Sequence, residues 1–190
     1  MLKKQPKQSR SRETVEILMQ ATARILRQEG SERLTTNRVA QVAGVSVGSL
    51  YQYFPNKESL LDELRARYDA RFLERLIQQF GRVARLPVRE AVREFARFII
   101  DVHREDPALH NALSPEIPEP QHRTLRELVR AYLEAHRGEL RRTDLEMATY
   151  VVVEVGESLV HNTAVRAPER LEDPRFLEEV CDLMERYLVD

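Results

Sequence analysis

Apolar residues recur along most of the chain at three- and four-residue spacing, the period of helices that bury one face. The first such segment runs from about Arg12 to Glu29, and Gly30 follows it as a stop signal. Strand signals are scarce, because only six glycines interrupt the 190 residues and the nine prolines cluster around a few breaks. The pattern predicts an all-α protein of about nine helices.

Turn signals divide the rest of the chain into further predicted helices. The segment Ser114–Gln121 contains three prolines in eight residues and is predicted to be a loop. The predicted helices, of which the fifth is only a short turn, are Thr36–Ala43, Ser46–Tyr53, Lys57–Val83, Val88–Glu105, Pro107–Leu113, His122–Arg137, Arg142–Ala167 and Pro174–Val189.

Charge is distributed unevenly along the chain. Residues 1–60 carry ten Lys and Arg against five Asp and Glu, whereas residues 61–190 carry twenty against twenty-six. A basic first third on an acidic remainder is typical of a nucleic-acid-binding module attached to a separate scaffold. From charge alone, a basic tail without a binding role is the more ordinary interpretation.

The segment from Leu34 to Leu61, LTTNRVAQVAGVSVGSLYQYFPNKESLL, predicts two short helices joined by a tight turn. Thr36 is placed to cap the first helix, and Gly44 follows where the turn requires a residue that tolerates positive φ. Ser46 is placed to cap the second helix. The small Ala40 allows the two helices to cross closely, as in a helix-turn-helix. An ordinary αα-hairpin shares this spacing.

The outer face of the second short helix favours DNA binding over the hairpin. A surface that lies against phosphates excludes carboxylates. The side chains left on that face are small or hydrogen-bonding, and none is acidic: Ser46, Val47, Ser49, Tyr51 and Gln52.

The segment VAQVAGVSVGSLYQYFPNKESLL, with the preceding helix and Gly30, resembles the TetR family of bacterial transcriptional regulators over about residues 12–61. The valine–serine turn, the Leu-Tyr-x-Tyr-Phe ending and the Asn-Lys-Glu-x-Leu start of the next helix occur together. The resemblance implies a homodimer with a DNA-binding domain followed by an effector-binding and dimerisation domain. The expected boundaries are a basic flexible tail at 1–11, the helix-turn-helix domain at 12–56 and the C-terminal domain at 57–190.

The family pattern and side-chain chemistry together assign the DNA contacts. Thr36 and Lys57 are expected at phosphates, Val47 at a thymine methyl group, and Gly48 where the helix backbone approaches the major groove. The basic tail is either a minor-groove arm or a solubilising segment. The full set of expected DNA contacts is Thr36, Arg38, Ser46, Val47, Gly48, Ser49, Tyr51, Gln52, Tyr53 and Lys57.

A recognition helix this short reads few base pairs, so specificity requires a dimer on a palindromic operator. The last two helices carry apolar residues on more than one side, which favours a four-helix dimer interface over packing within one chain. The expected interface residues are Val152, Val155, Gly156, Leu159, Val160, Leu177, Val180, Met184 and Tyr187.

Regulation by a small molecule requires a cavity with few polar groups in an apolar wall. Burial in an ordinary core, or exposure, is the competing interpretation for each candidate residue. The candidates are Phe95, Phe98, His103, Tyr132, Tyr150, Glu154, Glu157 and His161. The predicted function is a repressor that a small-molecule effector releases from double-stranded DNA. The alternative is a helix-turn-helix protein without an effector, which acts through a protein partner or as a nucleoid factor.

We recognise no motif typical of an enzyme in the sequence. Cys181 is the one cysteine, which excludes an internal disulfide and a zinc site with several thiolates. Pro107 separates His103 from His110, so these two do not form a one-turn metal-binding pair. We therefore expect no catalysis, cofactor or metal. The absence of a long apolar run predicts no membrane span or signal peptide, and hence a cytoplasmic protein.

Overall fold

The computed structural model describes residues 9–113 and 119–189, with side chains for 11–113 and 122–189. Over these residues the protein forms nine α-helices and no strand, which confirms the all-α prediction. The helices are α1 Ser9–Glu29, α2 Thr36–Ala43, α3 Val47–Tyr51, α4 Lys57–Val83, α5 Val88–Glu105, α6 Pro107–Leu113, α7 Glu119–Ala135, α8 Leu145–Arg166 and α9 Pro174–Leu188.

The predicted loop at Ser114–Gln121 is wrong at its C-terminal end. The structure begins α7 at Glu119, so Pro120 falls in the first turn, where a missing N–H costs no helical hydrogen bond. The rest of the predicted loop, residues 114–118, and the predicted tail up to residue 8 lie outside the described residues.

The first of two compact units contains the described residues up to Arg71 together with Ala108–Leu113. Its core includes Leu60 and Leu64 from the first half of α4, so the unit continues beyond the domain boundary expected at residue 56. Within it, Arg65 Nε donates a hydrogen bond of 2.6 Å to the Leu113 carbonyl and so satisfies one of the unpaired carbonyls at the end of α6.

The second unit contains Phe72–Pro107 and the described residues from Glu119 onward. Two ion pairs join α5 to α9: Arg93 contacts Glu178 at 2.7 Å, and Arg89 contacts Glu185 at 2.9 Å. Fully buried leucines and valines from α4, α5, α7, α8 and α9 form its main core. None of the described helices is both long enough and apolar enough to cross a membrane.

Candidate nucleic-acid interface and ligand cavity

Two caps and a left-handed glycine set the geometry between α2 and α3. Thr35 precedes α2, and its Oγ1 accepts a hydrogen bond of 3.1 Å from the amide three residues on. The cap predicted at Thr36 is therefore wrong by one position, because Thr36 is already the first residue of the helix. Gly44 ends α2 at φ 68°, and Ser46 caps α3 by accepting a hydrogen bond of 3.0 Å from an amide.

Buried apolar side chains hold α2 and α3 in one core. Val39 and Ala40 of α2, Leu50 of α3 and Phe54 after it are each no more than 1% exposed. Ala40 belongs to the same buried core as Leu50. Of the remaining positions of α3, Gly48 and Tyr51 are exposed and Ser49 is half-buried, whereas Val47 packs partly against this core.

The predicted DNA contacts are all at least partly exposed on the surface of this segment. No acidic residue occurs between Leu34 and Lys57, so the surface is neutral or positive, as a phosphate-facing surface must be. Five of the predicted contacts are exposed, namely Ser46, Gly48, Tyr51, Gln52 and Lys57, and five are half-buried, namely Thr36, Arg38, Val47, Ser49 and Tyr53.

Pairs of hydroxyl groups link the predicted contacts to one another. Thr36 Oγ1 lies 3.2 Å from Tyr51 Oη, which joins the start of α2 to the end of α3. Ser46 Oγ lies 2.8 Å from Ser49 Oγ within the α3 cap. A hydroxyl group offers one donor and two acceptor sites, so each pair keeps capacity for a further hydrogen bond.

Arg38 forms an ion pair that the sequence pattern did not reveal. Its Nη2 contacts Glu29 Oε1 at 2.7 Å, and its Nη1 donates to Gln41 Oε1 at 2.8 Å. The hydrogen bond from Arg38 lowers the pKa of the Glu29 carboxyl group. Because the guanidinium group holds α2 against the end of α1, it orients the interface, and a DNA contact has to compete with this pair.

Lys57 begins α4, as predicted, next to a local cap that fixes its backbone. Asn56 Oδ1 accepts a hydrogen bond of 2.9 Å from the Ser59 amide, and Ser59 Oγ donates one of 2.7 Å to the Asn56 carbonyl. The exposed ammonium group therefore lies at a helix N-terminus, where the helix dipole adds to its attraction for a phosphate.

A cavity of about 110 Å³ lies inside the second unit, lined by residues of α4, α5, α7, α8 and α9. Of the side chains that line it, all but Tyr132 and Glu157 are apolar. Tyr132 Oη donates a hydrogen bond of 2.7 Å to the Leu86 carbonyl, and burial raises the pKa of this tyrosine. The cavity is thus an apolar chamber with a single carboxyl group in its wall, which suits a hydrophobic ligand.

Three of the predicted ligand residues, Phe95, Tyr132 and Glu157, line this cavity, and five do not. Tyr150 is 53% exposed on α8, and Glu154 lies beside Glu157 outside the lining. Phe98 packs against Phe95 with ring centroids 6.0 Å apart.

The other two predicted ligand residues, His103 and His161, pack ring to ring, with centroids 6.1 Å apart. His103 Nδ1 donates a hydrogen bond of 2.8 Å to the Ile99 carbonyl, and burial lowers its pKa, so this imidazole is neutral at pH 7.

Several predicted dimer residues instead face the cavity. Their side chains fill space inside one chain, because α8 and α9 turn an apolar side toward α5 and α7. Leu159 and Leu177 pack in a smaller core cluster with α5, and Tyr187 lies under the Arg142 guanidinium at 4.3 Å. Val155 remains exposed, at 38%. The residues that line the cavity are Val152, Gly156, Val160, Val180 and Met184.

Several residues of α8 and α9 outside the predicted interface set are both apolar and exposed. Met147, Tyr150 and Val165 of α8 are 55%, 53% and 50% exposed, and Leu183 of α9 is 46% exposed. Because α8 carries apolar residues on nearly every side, its hydrophobic pattern does not show which side meets solvent.

These features define a class: an all-helical, helix-turn-helix DNA-binding protein with a separate helical domain that holds an apolar ligand cavity. Comparison with known families identifies the class further. The family model for bacterial regulatory proteins of the tetR family matches residues 18–64. The family model for the tetracyclin repressor-like C-terminal domain matches residues 87–188. The chain belongs to the TetR family, whose members are DNA-binding regulators and not enzymes.

Individual proteins resemble the chain only at low sequence identity. The chain is 28% identical over 113 residues to the nucleoid occlusion factor SlmA of Pasteurella multocida, a match that covers 60% of this chain and 56% of that protein. The chain thus spans about half the length of this curated relative. A TetR-family regulator from Streptomyces coelicolor has a TM-score of 0.65 and 27% identity, covering 93% of this chain and 96% of the other.

The complex of SmeT with triclosan is similar in fold, with a TM-score of 0.66 at 20% identity, covering 94% of this chain and 92% of the other. SmeT is the repressor of a multidrug efflux pump of Stenotrophomonas maltophilia.

Proposed function

We propose that the protein is a cytoplasmic repressor that binds a palindromic operator as a homodimer and leaves it when a small molecule enters the cavity. The observation that carries the proposal is the coexistence of an acid-free, outward-facing helix-turn-helix with an apolar cavity in a separate unit. Family membership supports the DNA-binding half of the proposal.

The outward side chains of α3 divide by chemistry into two roles at the operator. Val47, Ser49 and Gln52 are proposed to read base edges in the major groove, because they offer a methyl contact and hydrogen-bonding groups. Thr36, at the start of α2, and Tyr53, just after α3, are proposed to contact phosphates through their hydroxyl groups. Phosphate contacts fix the register of the helix, and base contacts supply the sequence preference.

The dimer is proposed to form through the exposed apolar face of α8, defined by Met147, Tyr150, Val155 and Val165, together with Leu183 of α9. A surface of this kind, left on a helix whose other side is already buried, is typical of an interaction site. A two-fold dimer presents each of these residues twice, and it supplies two recognition helices for the two half-sites of a palindrome.

Ligand and operator are proposed to bind antagonistically. A ligand shifts the DNA-binding equilibrium only if its affinity differs between the operator-bound and free proteins. The test is to select duplexes from a random library with the purified full chain. Fluorescence anisotropy then measures operator affinity with and without saturating small aromatic probes. Equal affinity in both conditions, for a probe that calorimetry shows to be bound, would remove the effector mechanism.

A second candidate function follows from the SlmA match: a nucleoid factor that acts through a protein partner without an effector. The matched relatives bear the name nucleoid occlusion factor. Under this alternative, the cavity remains empty and operator binding does not respond to any small molecule. Recovery of many dispersed genomic sites without ligand response favours the alternative, and recovery of one or a few ligand-responsive sites favours the repressor.

Lys57→Ala is expected to weaken binding to all duplexes and to reduce the salt dependence of the binding constant by about one phosphate contact.

Gln52→Ala is expected to change the preferred operator sequence instead, because it removes a base contact. Anisotropy titrations at several salt concentrations measure both effects.

The matched control is Arg85→Ala, which removes one positive charge from an exposed position outside the helix-turn-helix. If Lys57→Ala leaves affinity and salt slope unchanged at low ionic strength, the side chain lies away from the phosphates.

A further inference from the structure

Among the polar groups that line the cavity, Glu157 carries the one carboxyl group, so it is the one that can pair with a charged ligand. Glu157 and Tyr132 are the polar side chains in the lining, and Tyr132 Oη is already engaged with a carbonyl. A ligand with a single cationic group therefore has one oppositely charged side chain in the lining with which to pair. The rest of the wall accepts only apolar surface.

Two carboxylates and one imidazole meet beside this point. Glu157 Oε2 lies 2.7 Å from His122 Nε2, and Glu154 Oε1 lies 3.3 Å from the same nitrogen. One ring nitrogen carries at most one proton, so it satisfies one of the two carboxylates at a time. Arg126 of α7 adds a positive charge that acts on Glu157 and lowers its pKa. The Glu154 carboxylate, together with that of Glu157 once it is ionised, disfavours an anionic ligand at this end of the cavity.

We propose that the ligand of this cavity is a compact hydrophobic amine, whose ammonium group pairs with Glu157 in place of His122 while its apolar body occupies the chamber. The proposal rests on the effector-binding function proposed above and specifies its ligand class. An ammonium ion matches the geometry because it donates up to three hydrogen bonds and neutralises a buried carboxylate.

The dimensions and lining of the chamber favour one aromatic ring as the apolar body. A cavity of about 110 Å³ is somewhat smaller than the cavity of roughly 150 Å³ that binds benzene, so a single ring is the largest apolar body expected to fit. Phe80 and Phe95 line it with ring centroids 4.8 Å apart and planes tilted by 55°. A third ring can pack against these two by edge or by face.

The pKa of Glu157 predicts how the affinity for an amine changes with pH. Burial, and next the charge of Glu154, raise the pKa of Glu157 to about 8. Below that pH an ammonium group has to displace the proton of Glu157, so amine affinity is expected to rise about tenfold per pH unit from pH 6 toward pH 8. His122 and Arg126 of α7 and Glu154 of α8 are the other charged or titratable groups facing Glu157.

The test is calorimetric titration of the full chain with benzylamine, benzyl alcohol and benzoate at pH 6, 7 and 8. At pH 8, benzylamine is expected to bind at least tenfold more tightly than benzoate, and its affinity should fall at each lower pH. Benzyl alcohol should bind without this pH dependence.

Glu157→Gln removes the charge and keeps the shape, so it is expected to abolish both the amine preference and the pH dependence while benzyl alcohol still binds. Glu127→Gln, on an exposed position of α7, is the matched control and should change neither. The wild-type preferences need no variant, so the test stands even if Glu157→Gln fails to fold.

The outcomes separate this proposal from the function on which it rests. Benzoate binding as tightly as benzylamine, or an amine affinity unchanged in a folded Glu157→Gln protein, overturns the ligand class and leaves the cavity as an effector site. If none of the three probes binds at any pH, both the ligand class and the effector function are overturned.

Discussion

The double variant Met147→Glu, Val165→Glu is expected to fold normally, to run as a monomer and to lose operator affinity by about 10²–10⁴-fold. The two residues lie 18 positions apart, about five helical turns, and therefore on the same side of α8. Both are at least half exposed, so a glutamate at either position meets water within one chain. Exposed substitutions of this kind change stability by only about 0.5 kcal/mol.

Loss of affinity follows from the symmetry of the proposed dimer. A two-fold interface places each new carboxylate in the apolar contact twice, and burial of unpaired charges is costly. Without the partner, binding to one half-site no longer holds the second recognition helix near the other half-site.

Light scattering after size exclusion gives the mass, circular dichroism the fold, and anisotropy the operator affinity. Ile77→Glu is the matched control, because Ile77 is 52% exposed on α4 and lies outside the proposed interface. If the double variant remains a dimer with full operator affinity, the exposed face of α8 is not the interface.

Much of the fold is readable from the sequence because local signals and burial agree. The bounds of α4 and α5 follow from the helical period together with Pro55 before one helix and Pro87 before the other. Gly44 adopts the positive φ that its place between two helices demanded. In each case the local sequence and the final packing favour the same conformation, so the sequence alone is enough to predict it.

Where two adjacent residues have the same side-chain chemistry, the sequence does not show which of them takes a given structural role. Thr35 and Thr36 are both able to cap α2, and only the backbone conformation shows that Thr35 does so. The pair of Arg38 with Glu29 joins residues on either side of the Gly30 turn, so no helical spacing predicts it. Its formation depends on how α2 packs against α1.

The sequence does not show which residues of α8 and α9 line the cavity and which lie at the surface. Gly156 and Met184 were expected at a dimer interface, yet they line the cavity with Met184 Cε 3.5 Å from where a Cβ of residue 156 would lie. A helix with apolar residues on several sides has more than one buried partner, and its pattern does not say which partner takes which side. Only the positions of α5 and α7 decide this.

Gly48→Ala is expected to keep or increase the stability of the free protein and still to reduce operator affinity by at least about tenfold, or 1.4 kcal/mol. A Cβ at position 48 would meet only Ser46 Oγ, at 3.9 Å, which is an ordinary contact. Gly48 lies within α3, where replacement of glycine by alanine stabilises a helix by roughly 0.5–1 kcal/mol. Nothing inside the chain therefore requires glycine at this position.

Any requirement for glycine at position 48 therefore comes from outside the chain. An exposed glycine at the start of a recognition helix lets the helix backbone approach the groove, and a methyl group there would push it away. Thermal unfolding and operator anisotropy measured on the same sample separate the two effects. Gly81→Ala, exposed on α4 with nothing within 4 Å of its added Cβ, should gain stability without losing DNA affinity.

Gly44→Ala provides the opposite contrast, since φ 68° at that position strains any side chain and should lower stability. A stable Gly48→Ala protein with full operator affinity would mean that the start of α3 does not enter the groove. A stable protein with lost affinity, beside an unaffected Gly81→Ala protein, assigns the glycine to the approach of DNA.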